Sequence, residues 1–121
     1  MTETVAILGA SKNQSRYANK AQRFLIEKGH TTIPINPKYD KIDGIKCYPN
    51  LASCSQNIDT ITVYVRPPIL STLVQDIIQA SPYRVILNPG TISENAINQL
   101  EKAGIEIQMA CTLVLLRTSQ F

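Results

Sequence analysis

The chain is poor in the residues on which disulfide, metal and nucleophilic chemistry is usually built. Of 121 residues three are cysteine (Cys47, Cys54, Cys111) and one is histidine, His30. There is no C-x-x-C pair, and an odd set of thiols with a single imidazole makes neither a disulfide scaffold nor a zinc-ligand set, so the cysteines are expected as reduced thiols. No Ser/His/Asp constellation and no paired carboxylates fall at the ends of the predicted strands, which points to binding rather than turnover. No apolar stretch is long enough to span a bilayer, and the polar Met1-Thr2-Glu3-Thr4 does not read as a signal peptide. A cytoplasmic location follows as the expectation. Strong charge of one sign is missing too: twelve Lys and Arg against nine Asp and Glu leave +3, too mild to argue for nucleic acid.

What is present suits one globular domain over residues 1–121, with 44% of residues hydrophobic and 17% charged. The organising stretch is Val5 to Lys12, V-A-I-L-G-A-S-K. An apolar run that turns on a glycine into a helix is the opening of a doubly wound α/β domain, and such a turn offers backbone N–H groups to a phosphate. Tyr17, Ala21, Phe24, Leu25 and Lys28 then share a helical face, with Gly29 placed to end it. A second strand is expected at Thr32–Asn36, made awkward by Pro34, which lacks a ladder donor. Residues 37–59 hold room for a small extended piece at Ile45–Tyr48 and a helical turn near Leu51–Cys54.

Thr60–Val65 reads as the third strand, and Arg66-Pro67-Pro68 opens a helix whose stripe runs from Ile69 through Leu70, Leu73, Val74 and Ile77 to Ile78. Arg84–Leu87 is the fourth strand. After the turn Asn88-Pro89-Gly90, Thr91-x-x-Glu94 suggests a capping box ahead of a helix that Gly104 ends. Ile105–Met109 is the fifth strand, and Thr112–Leu116 closes as a short helix or edge strand. The sum is a Rossmann-like, doubly wound parallel sheet of about five strands, expected order 3-2-1-4-5, with helices on both faces. Ligands of such sheets sit beyond the carboxyl ends of the strands. Here those ends carry Gly9-Ala10-Ser11, Asn36-Pro37, Arg66-Pro67-Pro68, Asn88-Pro89-Gly90 and Cys111.

Gly9 permits a tight turn, Ser11 offers a hydroxyl, and the amides that follow suit a pyrophosphate, although two glycines of G-x-G-x-x-G are missing. The second strand discriminates better. A nicotinamide dinucleotide site places an acid at its end for the ribose hydroxyls, whereas this chain has Asn36-Pro37-Lys38-Tyr39. A neutral amide followed by a cation suits a phosphorylated ribose, and Tyr39 can pack on a base. The cations Lys12, Arg16, Lys20, Lys38 and Lys41 cluster in the first third, which fits a phosphorylated ligand and a solvated surface equally.

Taken in order, G-A-S at 9–11, I-P-I-N-P-K-Y at 33–39, G-I-K-C-Y-P at 44–49, R-P-P at 66–68, N-P-G at 88–90 and Cys111 resemble the small coenzyme A-binding domain family, similar in fold to the nucleotide-binding domain of the succinyl-CoA synthetase α subunit. The resemblance implies coenzyme A or an acyl-CoA along the strand ends. Gly9, Ala10, Ser11 and Lys12 would face the pyrophosphate, Arg16 and Lys38 phosphate groups, and Asn36, Pro37, Lys38 and Tyr39 the adenosine end. Arg66, Pro67 and Pro68 with Asn88, Pro89 and Gly90 would flank the pantetheine. Cys111 either fills apolar space or meets the pantetheine thiol as a mixed disulfide. His30, expected at the opposite end of the sheet, argues against ligase chemistry in the isolated chain. A homodimer, with Leu113–Leu116 as one candidate surface, or a partner subunit remains open, while neither nucleic acid nor membrane is expected. The alternative is an NAD(P)- or flavin-binding domain of an oxidoreductase system.

Overall fold

A computed structural model describes residues 2–121. Five parallel strands make the main sheet: β1 (Thr4–Leu8), β2 (Thr31–Ile35), β5 (Thr60–Val63), β6 (Arg84–Leu87) and β7 (Glu106–Met109). Two short strands, β3 (Lys41–Ile42) and β4 (Ile45–Lys46), form an antiparallel hairpin between β2 and β5 in sequence. Helix α1 (Tyr17–Glu27) packs with α5 (Thr112–Arg117). The opposite side is covered by α2 (Pro67–Thr72), α3 (Val74–Ala80), α4 (Glu94–Lys102) and a 3-10 turn at Leu51–Ser53. The side chains of β1 explain why it is central: Val5 and Ile7 enter the α1/α5 core, Ala6 and Leu8 the core under α2, α3 and α4. A strand buried on both faces reads as a continuous apolar run because neither set of alternating residues meets water.

The Rossmann-like class is as expected, but the strand order is not 3-2-1-4-5. Counting the five long strands along the chain, the order is 2-1-3-4-5, printed in the labels used here as β2-β1-β5-β6-β7. The third long strand lies against the first instead of outside the second, and Pro34 supplies the reason. Its carbonyl accepts from the Tyr48 amide at 3.0 Å on the outer side of β2, so its missing N–H lies on that side too, and a central β2 would lose a ladder bond there. Proline is confined to sheet edges for this reason. The hairpin, through Tyr48, covers what is left of that edge: a parallel bridge pairs Tyr48 with Ile35, and the Asn36 amide donates to the Tyr48 carbonyl. Asp43 and Gly44 both take positive φ at its tip, the signature of a two-residue I′ turn.

Three smaller expectations change. The buried stripe of α1 is Ala18, Asn19, Ala21, Gln22 and Leu25, while Tyr17 is 66% exposed. The expected single helix after Arg66 breaks at Leu73, where the Thr72 hydroxyl donates to the Ile69 carbonyl and the Leu73 amide bonds only three residues back. The cap of α4 is Ser93, whose hydroxyl accepts from the Ala96 amide. Thr91 instead turns its hydroxyl onto the Asn88 carbonyl. The closing segment is a helix, and the expected turn near Leu51 is present. No helix among the described residues is long and apolar enough to cross a membrane.

Candidate functional site

With β2 on one side of β1 and β5 on the other, the chain reverses its direction of travel across the sheet at β1, and a crevice opens there beyond the carboxyl ends. Gly9 sits in that crevice at φ +93°, where a Cβ would lie 2.9 Å from Val65 Cγ1 and 3.1 Å from the Tyr64 carbonyl carbon. Only glycine lets the end of β1 pass so close to the end of β5. Asn36 ties the other side. Its amide nitrogen donates to the Ala10 carbonyl and its oxygen accepts from the Lys38 amide, both at 2.8 Å.

Two cavities meet at this pair of residues. One, of about 300 Å³, opens on the α2/α3 side. It is walled by Leu8, Ile35, Leu51, Val65, Ile69 and Leu73, with Pro37, Lys38, Asn50 and Asp76 also reaching it. The other, of about 500 Å³, opens on the α1 side and is lined by Ala10, Ser11, Asn13, Arg16, Tyr39 and Tyr64 among others. Gly9 and Asn36 line both. A hollow of comparable size between α1 and α5, edged by Lys20, Arg23 and Arg117, faces helix sides rather than strand ends and holds none of the expected ligand contacts.

The loop after Gly9 differs in detail from the simple picture of free amides. Gly9 and Ala10 both donate to the Ile35 carbonyl, at 3.1 and 3.2 Å. In this loop the amides of Ser11, Lys12 and Gln14 make no hydrogen bond among the described residues, nor do those of Tyr17, Ala18 and Asn19 in the first turn of α1, and no side chain caps α1, whose Ala18 lines the larger cavity. Unpartnered amides at a helix start are a ready anion site. The loop is braced from behind by Asn19, which is fully buried. Its amide nitrogen donates to the Ser11 carbonyl at 2.8 Å and to Asp43 Oδ2 at 3.0 Å, while Arg23 bonds both Asn19 Oδ1 and the Gln14 carbonyl. Lys12 lies over the Tyr39 ring, 5.0 Å from its centre.

Of the residues expected at the site, Gly9, Ala10, Ser11, Arg16, Asn36, Pro37, Lys38 and Tyr39 line one cavity or both. Arg66, Pro67, Pro68, Asn88, Pro89, Gly90 and Cys111 stand at the carboxyl ends of β5, β6 and β7 but line neither. The Asn88 side chain points inward. It is 2% exposed, donates to Thr62 Oγ1 and the Val63 carbonyl, and accepts from the Thr112 amide. Cys111, half-buried, sits at the N-cap of α5 with no side-chain cap bond. Near it the Tyr64 hydroxyl is buried without a hydrogen-bond partner among the described residues, and burial pushes its pKa up to about 12. Burial likewise raises the Cys47 thiol. His30 lies at the opposite end of the sheet, as expected, where its Nδ1 accepts from the Glu3 amide and burial lowers its pKa.

Sequence reasoning missed the wall built from Pro49, Asn50, Leu51, Val65 and Asp76. Ile69, Leu73 and Asp76 recur at i, i+4 and i+7, the spacing of one helical face, but that pattern alone reads as core packing.

A switch-point crevice with an anion-ready loop on one side and an apolar slot on the other is the place where doubly wound α/β domains take their ligands. A sequence profile of the family described as CoA binding domain matches residues 3–117, and the chain belongs to that family. It is 32% identical over 74 residues, 61% of its length, to the acetate–CoA ligase (ADP-forming) of Methanocaldococcus jannaschii, of which the match covers 10%. The chain thus corresponds to about a tenth of that relative. A crystal structure of an uncharacterized protein superposes with TM-score 0.94 at 33% identity, covering 100% of this chain and 99% of the other. A Thermus thermophilus protein superposes at 0.90 with 28% identity, covering 98% and 90%.

Proposed function

We propose that this chain binds coenzyme A or an acyl-CoA across the carboxyl ends of its sheet, as a binding module rather than a catalyst. The observation that carries the reading is the division of the crevice at Gly9 and Asn36 into a polar and an apolar cavity, which suits a ligand with a phosphate-rich middle and a flat base. The residues present fit such a ligand. The unbonded Ser11 and Lys12 amides with Arg16 suit a diphosphate, the apolar slot suits adenine, and Lys38 at that slot suits a phosphate on the ribose. Arg66 to Pro68, Pro89, Gly90 and Cys111 would flank the pantetheine arm at the carboxyl ends of the strands, with Asn88 holding that end from inside. Bound coenzyme A would supply a thiol or thioester, and the described residues provide no acid–base pair to act on it. A homodimer or a partner subunit that does the chemistry is consistent with relatives in which the match is a small part of a ligase.

The oxidoreductase alternative is disfavoured by Asn36, a neutral amide where an acid would take the pair of ribose hydroxyls, with its oxygen already accepting from the Lys38 amide. A thermal-shift panel tests the assignment. Coenzyme A at about a hundred times its Kd adds roughly 2.7 kcal/mol, a rise of several degrees for a domain of this size. Dephospho-coenzyme A should stabilise less and NAD little. Equal responses to all three would refute the reading.

A further inference from the structure

We propose that Asp76 and Asn50 read the Watson–Crick edge of an adenine ring in the apolar cavity, so that base identity, and not phosphate alone, decides which nucleotide the chain accepts. The inference rests on the coenzyme A reading above and adds a selectivity to it. Four side chains with polar groups reach this cavity: Asn36, Lys38, Asn50 and Asp76. Asn36 gives its oxygen and one of its two N–H groups to backbone, and Lys38 is a donor only. Asn50 is half spent. Its Oδ1 accepts from the Ser53 amide at 2.8 Å as the cap of the 3-10 turn, and its carbonyl accepts from the Ser53 hydroxyl at 2.8 Å. The two N–H bonds of its amide nitrogen have no partner among the described residues. Asp76 comes from the first turn of α3, half-buried, and its carboxylate makes neither a hydrogen bond nor an ion pair among the described residues.

The cavity therefore holds, beside hydrocarbon walls, an unpartnered acceptor in Asp76 and, at its exposed rim, a donor in Asn50 that the Ser53 cap orients. Adenine presents the complementary pair, an exocyclic amine that donates and a ring nitrogen that accepts. Guanine and hypoxanthine present a carbonyl oxygen where adenine has its amine, which would face the carboxylate of Asp76 lone pair to lone pair. A site built to hydrogen-bond one pattern rejects the other because its own polar groups are then left unpaired. The Oδ1 cap on Ser53 holds the Asn50 side chain in one orientation before any ligand arrives, so little order is lost on binding.

The test is titration calorimetry of the whole chain with coenzyme A and with its 1,N6-etheno derivative, in which a fused ring consumes both edge groups and leaves phosphates and pantetheine unchanged. Wild type should bind coenzyme A at least tenfold more tightly than the etheno form. Asp76→Ala and Asn50→Asp, the latter keeping the oxygen that caps Ser53, should each weaken coenzyme A about tenfold and change the etheno form less than twofold. Charge alone predicts otherwise: removing the Asp76 carboxylate would strengthen both polyanionic ligands, and adding one at residue 50 would weaken both. Equal wild-type affinity for the two ligands, or variants that shift both alike, overturns the base-reading and leaves the coenzyme A assignment standing. Absence of coenzyme A binding to wild type overturns both. The wild-type comparison needs no variant, so a substitution that fails to fold does not protect the proposal.

Discussion

Asn88 was expected beside the ligand, and its surroundings now make it a measure of how the sheet end is held. Its amide bonds Thr62 Oγ1 at 2.7 Å, the Val63 carbonyl at 2.9 Å and the Thr112 amide at 2.9 Å. It therefore joins β5, β6 and the first residue of α5 in one buried cluster. Asn88→Ala leaves Thr62 and Thr112 their mutual hydroxyl bond at 2.8 Å, but the Thr112 amide and Val63 carbonyl each lose this partner away from water. Each buried group so deprived costs about 1–3 kcal/mol, and the missing side-chain atoms leave a small void. The expected loss is about 3–5 kcal/mol, a large share of the roughly 5–15 kcal/mol by which domains are stable. Urea unfolding followed by far-ultraviolet circular dichroism measures it, with a fall in melting temperature of roughly 12–20 °C as the independent reading. A loss below about 1 kcal/mol with unchanged m-value would refute the argument and return the Asn88 side chain to the ligand side.

Gly9→Ala should cost about 2–4 kcal/mol in the same assay and abolish the thermal shift with coenzyme A, because a Cβ at φ +93° meets Val65 and the Tyr64 backbone; retained stability and shift would contradict the close approach. Lys38→Ala should lower coenzyme A affinity about tenfold in calorimetry and dephospho-coenzyme A less than twofold, whereas equal losses would mean that Lys38 does not read the ribose phosphate. Tyr64, raised by burial from 10.0 to about 12, keeps its proton in the folded state at a pH where the unfolded chain releases it. That contribution is whole below pH 10 and disappears as pH rises from 10 through 12, on the order of 3 kcal/mol in total. Tyr64→Phe should remove this part of the alkaline decline and, by deleting an unpartnered hydroxyl, leave stability at pH 8 unchanged or slightly higher. Parallel stability-versus-pH curves for the two proteins would refute it.

The parts of this architecture that could be read from sequence are those governed by local rules. Val5 to Leu8 announces a strand buried on both faces, Gly29 and Gly104 end helices where positive φ is required, and Arg84–Leu87 falls on its observed bounds. The strand order failed because it depends on which side of β1 the third long strand inserts, a choice no local pattern records. The one local clue is Pro34, whose missing donor suits an edge strand. Asp43-Gly44 is a hairpin signal, but neither the cover it gives β2 nor the brace from Asp43 to Asn19 is set by a local pattern. At the site, the residues recovered were those on the two strands flanking the switch point. Those missed, Asn50 and Asp76 above all, come from segments without a motif that tertiary packing carries to the cavity.

The same few groups that close the sheet at β1 also shape the crevice, and this constrains how the site can vary. The Ile35 carbonyl takes the amides of both Gly9 and Ala10, and Asn36 returns a bond to the Ala10 carbonyl. These three bonds fix the turn so that the next two amides, of Ser11 and Lys12, are the first left without partners. A substitution that loosens β2 against β1 would therefore move the anion-ready amides as well, and would lower stability and phosphate affinity together. Changes at Asn50 or Asp76 sit on the far wall and touch none of these bonds. On the proposed reading, base selectivity could then drift while the loop after Gly9 and the fold stay intact, a separation that two cavities joined only through Gly9 and Asn36 make physically possible.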